Sequence, residues 1–306
     1  MTNLTLRQLR YFESLARHGH FGRAAAACSI SQPALSVQIR EMEEELGAAL
    51  FERGSRQVRL TALGEEVSTR VRAILGAVDE LGDIARAGGA RLVGRLRMGV
   101  IPTIAPYLLP RVIAGLRETH PGLEIHIRET LTERLIHGLR EGHLDAAIVA
   151  LPVSEPALSE VALFDESFVL VRPAQEADAP VPDAQELRGM RLLLLEEGHC
   201  FRDQALSFCK LDTSPGHPRE GFDGSSLSTL VQMVAAGLGV TLIPDMAVPV
   251  ETRSADVALA RLRGGQPGRR VGMIWRRTTP LDAQLRQVAA VVRDAGLALH
   301  AGRPDQ

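Results

Sequence analysis

The chain has 306 residues, enough for more than one domain, since a single hydrophobic core stops growing near 250–300 residues. Its composition, 45% hydrophobic and 24% charged with a net charge of −2, is ordinary for a globular protein. The most apolar stretch, Met233 to Val250, is interrupted by glycine, proline and aspartate, so no membrane helix is predicted. Three cysteines, an odd number, argue against a secreted disulfide framework, and we expect a cytoplasmic protein.

The near-neutral total charge conceals two local patches of opposite sign. Residues 53–59, RGSRQVR, carry three arginines and no acid, whereas residues 41–45, EMEEE, carry four acids. Binding to nucleic acid is therefore not excluded by the net charge.

The N-terminal third predicts an all-α winged helix-turn-helix domain over residues 1–60. A first amphipathic helix contains Leu6, Leu9 and Phe12, and a short alanine-rich helix follows from Arg23 to Cys28. Ser31 is a good N-cap for a third helix, whose outer face is small and polar enough to enter the major groove. The candidate DNA contacts are Gln32, Pro33, Ser36, Val37 and Arg40 for bases, and Arg53 and Arg56 on the following hairpin for phosphates.

A small helical subdomain with an arginine-bearing hairpin is the alternative for this region. The stretch FGRAAAACSISQPALSVQIREMEEELGAALFER, however, resembles the DNA-binding signature of the LysR-type transcriptional regulators. The matching segments are Arg23-Ala24-Ala25, Ser31-Gln32-Pro33-Ala34 and Leu50-Phe51-Glu52-Arg53. One departure is Leu63 before Gly64, where the family usually has alanine, and it leaves the groove contacts untouched.

Residues 61–90 predict a long linker helix that forms a dimer. Apolar residues recur in steps of four and three from Leu63 to Ala85, the spacing of a two-stranded coiled-coil seam. A helix packed on its own domain is the alternative. A dimer would supply the two-fold symmetry that paired DNA half-sites require.

Residues 91–306 alternate between strand and helix patterns, which predicts a parallel, doubly wound α/β sheet followed by a second α/β unit. Two such subdomains resemble the periplasmic-binding-protein-like effector domain of the LysR family. Ligands of such sheets bind beyond the carboxyl ends of the strands. Thr103, Thr132, His199, Cys200 and Ser226 follow strands in this way, although simple N-capping is the favoured role for Ser226.

Cys200 and Cys209 are too far apart in sequence for a zinc knuckle or a thioredoxin-type pair. Cys200 lies at a predicted helix start beside His199 and near Arg202, and a helix N-terminus and cations both favour the reactive thiolate. If residues 202–209 are helical, Cys209 lies roughly 10–12 Å along the axis, beyond the 4.4–6.8 Å Cα separation of a disulfide. A bond between them would require the helix to unwind or move. The alternative is that both cysteines are small buried hydrophobes.

The segment LLLLEEGHCFRDQALSFC resembles the sensor segment of the peroxide-responsive branch of the LysR family, and GVIPTIAPYLLP and VQMVAAGLGVTLIPDMAVP resemble the same branch. The resemblance implies a hydrogen peroxide-sensing activator of antioxidant genes, in which Cys200 reacts with peroxide and Cys209 resolves it as a disulfide. It also implies a peroxide pocket whose residues here are Thr103, Thr132, His199, Arg202, Asp203 and Arg270.

Several further expectations accompany that resemblance. The implied partners are a double-stranded DNA operator, RNA polymerase, a thiol reductant such as glutaredoxin or thioredoxin, and other copies of the chain up to a tetramer. No cofactor and no metal site is expected, and Cys28 is expected to pack as a small hydrophobe. The segment after Cys209, residues 210–224, departs from the family pattern, which leaves the path from Cys209 to Cys200 open.

Two other functions stay open at this point. In one, the same architecture binds a small anionic metabolite and the cysteines are inert. In the other, the chain is a thiol peroxidase with an accessory domain.

Overall fold

A computed structural model describes residues 3–52, 58–89, 92–208 and 223–301. The chain forms two compact units, Met1–Ala85 and Arg86–Gln306. Most of the predicted linker helix therefore clusters with the N-terminal unit.

The N-terminal unit contains the helices that the sequence predicts. They are α1 (Leu6–His18), α2 (Phe21–Ala27), α3 (Gln32–Leu46) and all but the last two residues of α4 (Ala62–Ala87). Ser31 is the N-cap of α3, since its side chain accepts a hydrogen bond from the Ala34 N–H at 3.3 Å, as predicted. The stripe Leu35, Ile39 and Met42 of α3 is buried against α1 and α2.

Glu43, which belongs to the acidic stretch of residues 41–45, holds the chain that follows α3. The Glu43 carboxylate accepts hydrogen bonds from the backbone N–H groups of Leu50 and Phe51, at 2.7 and 3.1 Å. Phe51 then forms an antiparallel bridge with Leu60. Gly64 follows at the start of α4, where a Cβ would lie only 2.1 Å from the Leu50 carbonyl oxygen. Only glycine permits this close approach.

The α4 helix has the length that the sequence predicts, and part of its apolar seam faces solvent. Val71 is buried in the N-terminal core, whereas Ile74, Leu81 and Ile84 are exposed, Leu81 by 67%. Packing on its own domain therefore accounts only for the first half of the helix.

The C-terminal unit is built on a seven-stranded mixed sheet. Its strands are β1 (Gly94–Val100), β2 (Leu123–Glu129), β3 (Ala146–Leu151), β4 (Leu158–Pro173), β7 (Thr241–Pro244), β8 (Val257–Ala260) and β9 (Gly268–Arg276). The order is β2-β1-β3-β9-β4-β7, with β8 also paired to β4. β1, β2 and β3 are parallel as predicted, but β9 is antiparallel to β3 and β4. The parallel arrangement predicted for the first alternating stretch is therefore confirmed, and the later strands make the complete sheet mixed.

A second, two-stranded parallel sheet consists of β5 (Leu194–Leu195) and β6 (Asp223–Gly224). The helices of this unit are α5 (Ala105–Thr119), α6 (Thr132–Arg140), α7 (Ala184–Leu187), α8 (Cys200–Phe208), α9 (Leu227–Ala235), α10 (Val248–Glu251) and α11 (Asp282–Ala301). One continuous core joins them, with Trp275 and Phe168 among its largest buried side chains. Within the described ranges, no helix is long and apolar enough to cross a membrane.

The two parallel strand pairs end around a common space. The chain leaves β1 and β2 toward Thr103 and Leu131, and it leaves β5 and β6 toward His199 and Ser226. All four residues line one cleft. This is where ligands of open parallel sheets bind, at the carboxyl ends of the strands.

Candidate functional site

Two adjoining cavities lie at these strand ends. A small cavity of about 10 Å³ has walls from residues 101–103, 131–132 and 198–201. A larger cleft of about 370 Å³ extends from it toward solvent. Pro102, Thr103, Leu131 and His199 line both. The small cavity has about the volume that one water molecule needs.

Cys200 is the first residue of α8 and lines the small cavity as a free, half-buried thiol. Its placement depends on Gly198, which has a φ of +92° in the turn that precedes the helix. The next residue, Phe201, is buried against Phe168 at a ring-centroid distance of 4.7 Å. Its position as the first residue of α8 places the thiol at the positive end of the helix dipole.

Thr132 contributes a hydroxyl that is not used by the fold. Its Oγ1 is buried and has no hydrogen-bond partner, although the residue is the first of α6. It is not the N-cap, since Leu131 occupies that position and forms no side-chain cap. A buried hydroxyl without a protein partner costs free energy, and this hydroxyl is free to bond to a small polar molecule in the cavity.

Thr103 is held by a buried arginine. Arg269 donates from Nη1 to Thr103 Oγ1 at 2.7 Å and from Nη2 to its carbonyl oxygen at 2.9 Å, while its Nε donates to Glu166 at 2.8 Å. The side chains of Arg269 and Glu166 have no exposed area. A guanidinium can only donate, so the hydroxyl of Thr103 accepts from Arg269 and keeps its own hydrogen for another acceptor.

The prediction that Arg270 faces this pocket is wrong. Arg270 lies on the exposed face of β9, 59% accessible, and pairs with Asp165 at 2.7 Å. Its neighbour Arg269 points inward instead, because successive residues of a strand point to opposite faces. Sequence reasoning missed Arg269 because the rest of β9 is buried on both faces, so no alternation of apolar and polar residues shows which arginine is inside.

Arg202 and Asp203 also lie elsewhere than predicted. The guanidinium of Arg202 donates to the Leu195 carbonyl oxygen and to Asp223, at 2.8 and 2.9 Å. Asp203 is exposed on α8. Neither residue is among those that line the two cavities, because side chains two and three positions after Cys200 leave the helix on other faces.

His199 lies beside the thiol as predicted, but its charge is not the expected one. Burial lowers its pKa below the usual value, against the opposing effect of Glu196. The imidazole is therefore neutral at neutral pH. Arg202 is paired with Asp223 and does not line either cavity, so its guanidinium is not the cation that the sequence suggested beside Cys200.

The structure therefore brings together Thr103, Thr132, His199 and Cys200 from three separate segments. Cys209 lies outside the described residues, as do Arg53, Arg56 and residues 210–222. Ser226 caps α9 by accepting from the Thr229 N–H at 3.2 Å, which confirms the simple role favoured for it.

The outer face of α3 has the predicted composition. Gln32, Pro33, Val37 and Arg40 are exposed, and Ser36 is half-buried. Val37 is 46% exposed. The Arg40 guanidinium and the Gln32 amide suit base edges, and the Val37 methyls suit a thymine methyl.

Comparison with known protein families identifies both units. Residues 6–65 match the model of the bacterial regulatory helix-turn-helix protein of the lysR family, and residues 89–296 match the LysR substrate binding domain. The chain belongs to the LysR family. Cys28, the half-buried C-cap residue of α2, lies within the helix-turn-helix match.

Several relatives of this LysR chain have names that refer to hydrogen peroxide or to OxyR. It is 43% identical over 295 residues to a "Probable hydrogen peroxide-inducible genes activator" of Streptomyces viridosporus, covering 95% of this chain and 94% of that one. It is 41% identical over 296 residues to the "DNA-binding transcriptional dual regulator OxyR" of Escherichia coli K12, covering 95% of each. Among solved structures, a hydrogen-peroxide-bound cysteine-to-serine mutant of Corynebacterium glutamicum OxyR is 35% identical, with a TM-score of 0.68 and coverage of 97% of this chain and 94% of that one.

Proposed function

We propose that the protein is a hydrogen peroxide-sensing, DNA-binding transcription regulator of antioxidant genes, switched by reversible oxidation of Cys200. The observation that carries this proposal is the small cavity beside the thiol, where the Thr132 hydroxyl is buried without a partner. The thiol, the two threonine hydroxyls and the enclosed space are what a small peroxide needs. The relatives named for hydrogen peroxide agree with this chemistry.

The reaction follows from these groups. The Cys200 thiolate attacks one peroxide oxygen, the O–O bond breaks, and the sulfur is oxidised by two electrons to a sulfenic acid. The other oxygen leaves as hydroxide, which takes up a proton to become water. Thr103, fixed by Arg269 with its hydrogen free, donates to the oxygen on which negative charge develops. Thr132 holds the same molecule from the other wall.

The second step converts oxidation into a change of shape. A sulfenic acid condenses with a second thiol to form a disulfide and release water, and Cys209 is that thiol in our proposal. An intact α8 separates the Cα atoms of Cys200 and Phe208 by about 12 Å. A disulfide needs Cα atoms within about 4.4–6.8 Å, and one peptide step beyond Phe208 spans only about 3.8 Å. The disulfide therefore requires α8 to unwind.

Unwinding α8 would remove buried side chains from the core. Phe201, Ala205 and Leu206 form its buried face, and Phe208 packs partly against the same core. The C-terminal unit must then repack. In our proposal, this structural difference between the reduced and oxidised states changes DNA binding. A cytoplasmic thiol reductant, glutaredoxin or thioredoxin, would reverse it, and RNA polymerase would respond to the bound regulator.

DNA binding is assigned to the exposed face of α3 and to the hairpin arginines. Ile74, Leu81 and Ile84 give α4 an apolar stripe that a second copy of the chain would cover, which makes residues 61–90 a dimerisation helix. The domain division into residues 1–60, 61–90 and 91–306 belongs to the same proposal, and the oligomer is a dimer or a tetramer.

The test is peptide mapping without reductant after one equivalent of hydrogen peroxide, together with operator binding before and after. We expect a Cys200–Cys209 cross-link and altered DNA binding, both abolished by Cys200→Ser. An oxidation-insensitive DNA complex contradicts the proposal.

The cleft volume of about 370 Å³ favours a second candidate, a regulator that responds to a small metabolite. Under that reading, Cys200→Ser would still respond fully to its inducer. The number of turnovers distinguishes our proposal from a thiol peroxidase. We propose that the protein consumes one equivalent of peroxide when no thiol is added. An enzyme supplied with a reductant would consume many equivalents at a high rate.

A further inference from the structure

The larger cleft adjoins the small cavity beside Cys200. The two cavities share four lining residues, and the rim of the cleft includes exposed Glu129 and exposed Ser226. On the inner side, Leu131 and Phe201 close the small cavity against the core. An oxidant that reaches Cys200 through this opening therefore passes the side chains that line the cleft.

The charged side chains that line the cleft are both acidic. They are Glu129, at the carboxyl end of β2, and Glu251, at the end of α10, and no arginine or lysine lines the cleft within the described ranges. Glu251 accepts a hydrogen bond from the Tyr107 hydroxyl at 2.6 Å. At neutral pH two glutamate carboxylates contribute two negative charges.

The other polar groups near the cleft do not cancel these charges. Arg269 is paired with buried Glu166. Burial and the hydrogen bond to Glu251 raise the pKa of Tyr107, so the phenol stays protonated. His199 is neutral because burial lowers its pKa. The N-termini of α5, α6, α8 and α9 begin at or beside residues that line the two cavities, and each adds a partial positive charge of about half a unit whose effect falls off within the first turn.

We propose that Glu129 and Glu251 make the cleft a charge filter that admits neutral peroxides to Cys200 and repels anionic oxidants. This inference rests on the proposed function. Clefts lined by charge of one sign concentrate the field in their opening and change the local concentration of charged solutes. Hydrogen peroxide is neutral and is unaffected, whereas a peroxy anion of similar reactivity enters less often.

Peroxymonosulfate is a suitable probe because it is an anion at neutral pH and reacts by the same step. The thiolate attacks its terminal peroxide oxygen, the O–O bond breaks, the sulfur becomes a sulfenic acid and sulfate leaves. The measured quantity is the ratio of two second-order rate constants for oxidation of Cys200, peroxymonosulfate over hydrogen peroxide. It is followed in a Cys209→Ser background by trapping the sulfenic acid and mapping the peptide.

We expect Glu129→Gln to raise this ratio by about two- to fourfold at low ionic strength, and Glu129→Gln with Glu251→Gln to raise it by about four- to fifteenfold. The effect shrinks near 0.15 M salt, where the Debye length is about 8 Å. Glu124→Gln is the matched control, since Glu124 is an exposed glutamate at the opposite end of β2 and does not line the cleft. Tyr107→Phe removes the hydrogen bond to Glu251 and keeps the charge, so its ratio should not rise.

Equal ratios in the Glu129→Gln and Glu124→Gln proteins would overturn the charge filter while leaving peroxide sensing intact. A rise in Tyr107→Phe as large as the further rise that Glu251→Gln adds to Glu129→Gln would also overturn it for Glu251, because the hydrogen bond and not the charge would then control access. Failure of the proposed function looks different: Cys200 would then resist hydrogen peroxide in every one of these proteins.

Discussion

Replacing Thr132 with valine tests whether its hydroxyl contributes to the peroxide reaction or to the stability of the protein. The Thr132 hydroxyl oxygen is buried without a partner, a situation that costs about 1–3 kcal/mol. Valine keeps nearly the same shape and removes the hydroxyl. We therefore expect the free energy of unfolding to stay unchanged or to rise by about 1 kcal/mol.

The same substitution should slow the reaction of Cys200 with hydrogen peroxide. A hydrogen bond to a group that becomes charged contributes about 1.5–3 kcal/mol, which corresponds to a roughly ten- to hundredfold lower rate constant. The assay is stopped-flow oxidation under single-turnover conditions, paired with urea unfolding of the reduced protein. Thr130→Val is the matched control, because Thr130 lines the cleft and not the small cavity.

A stable Thr132→Val protein that reacts at the original rate would refute this reasoning. So would a protein destabilised in proportion to its loss of rate, because the hydroxyl would then have a structural role.

Four other substitutions test the remaining parts of the account. Arg269→Gln leaves Glu166 buried without its cation and should lower the free energy of unfolding by about 3–5 kcal/mol, whereas Arg270→Gln on the exposed face should leave the Tm and the peroxide rate unchanged. Leu81→Lys removes exposed apolar surface from α4 and should shift sedimentation toward a smaller oligomer at low concentration; an unchanged oligomer would count against the dimerisation helix. Val37→Ala should reduce discrimination of one base pair by about three- to tenfold, and a uniform loss on all DNA sequences would argue for a role in folding instead.

The helices of the N-terminal unit were predictable because their signals are local. The Ser31 cap, the Leu35, Ile39 and Met42 stripe and the start of α1 each depend on residues within one or two turns. The antiparallel direction of β9 was not predictable, because a strand buried on both faces shows no residue pattern that distinguishes the two directions. For the same reason, the sequence did not predict that β4 pairs with β9 along one stretch and with β7 along the next.

The site was predictable where a residue follows a strand in sequence. Thr103, Thr132, His199 and Cys200 each come after a strand pattern, and the parallel pairs then bring them together. The partners of these residues were not predictable, since Arg269 and Glu166 are 103 positions apart. Arg202 and Asp203 were misplaced because closeness in sequence to Cys200 does not place a helical side chain on the same face.

Hydrogen exchange of the α8 amides, residues 200–208, tests the central claim most directly. We predict that one equivalent of hydrogen peroxide removes protection across these amides in the native protein, and that the Cys209→Ser protein keeps its protection after the same treatment. A native protein that forms the cross-link between positions 200 and 209 with α8 still protected would contradict the account.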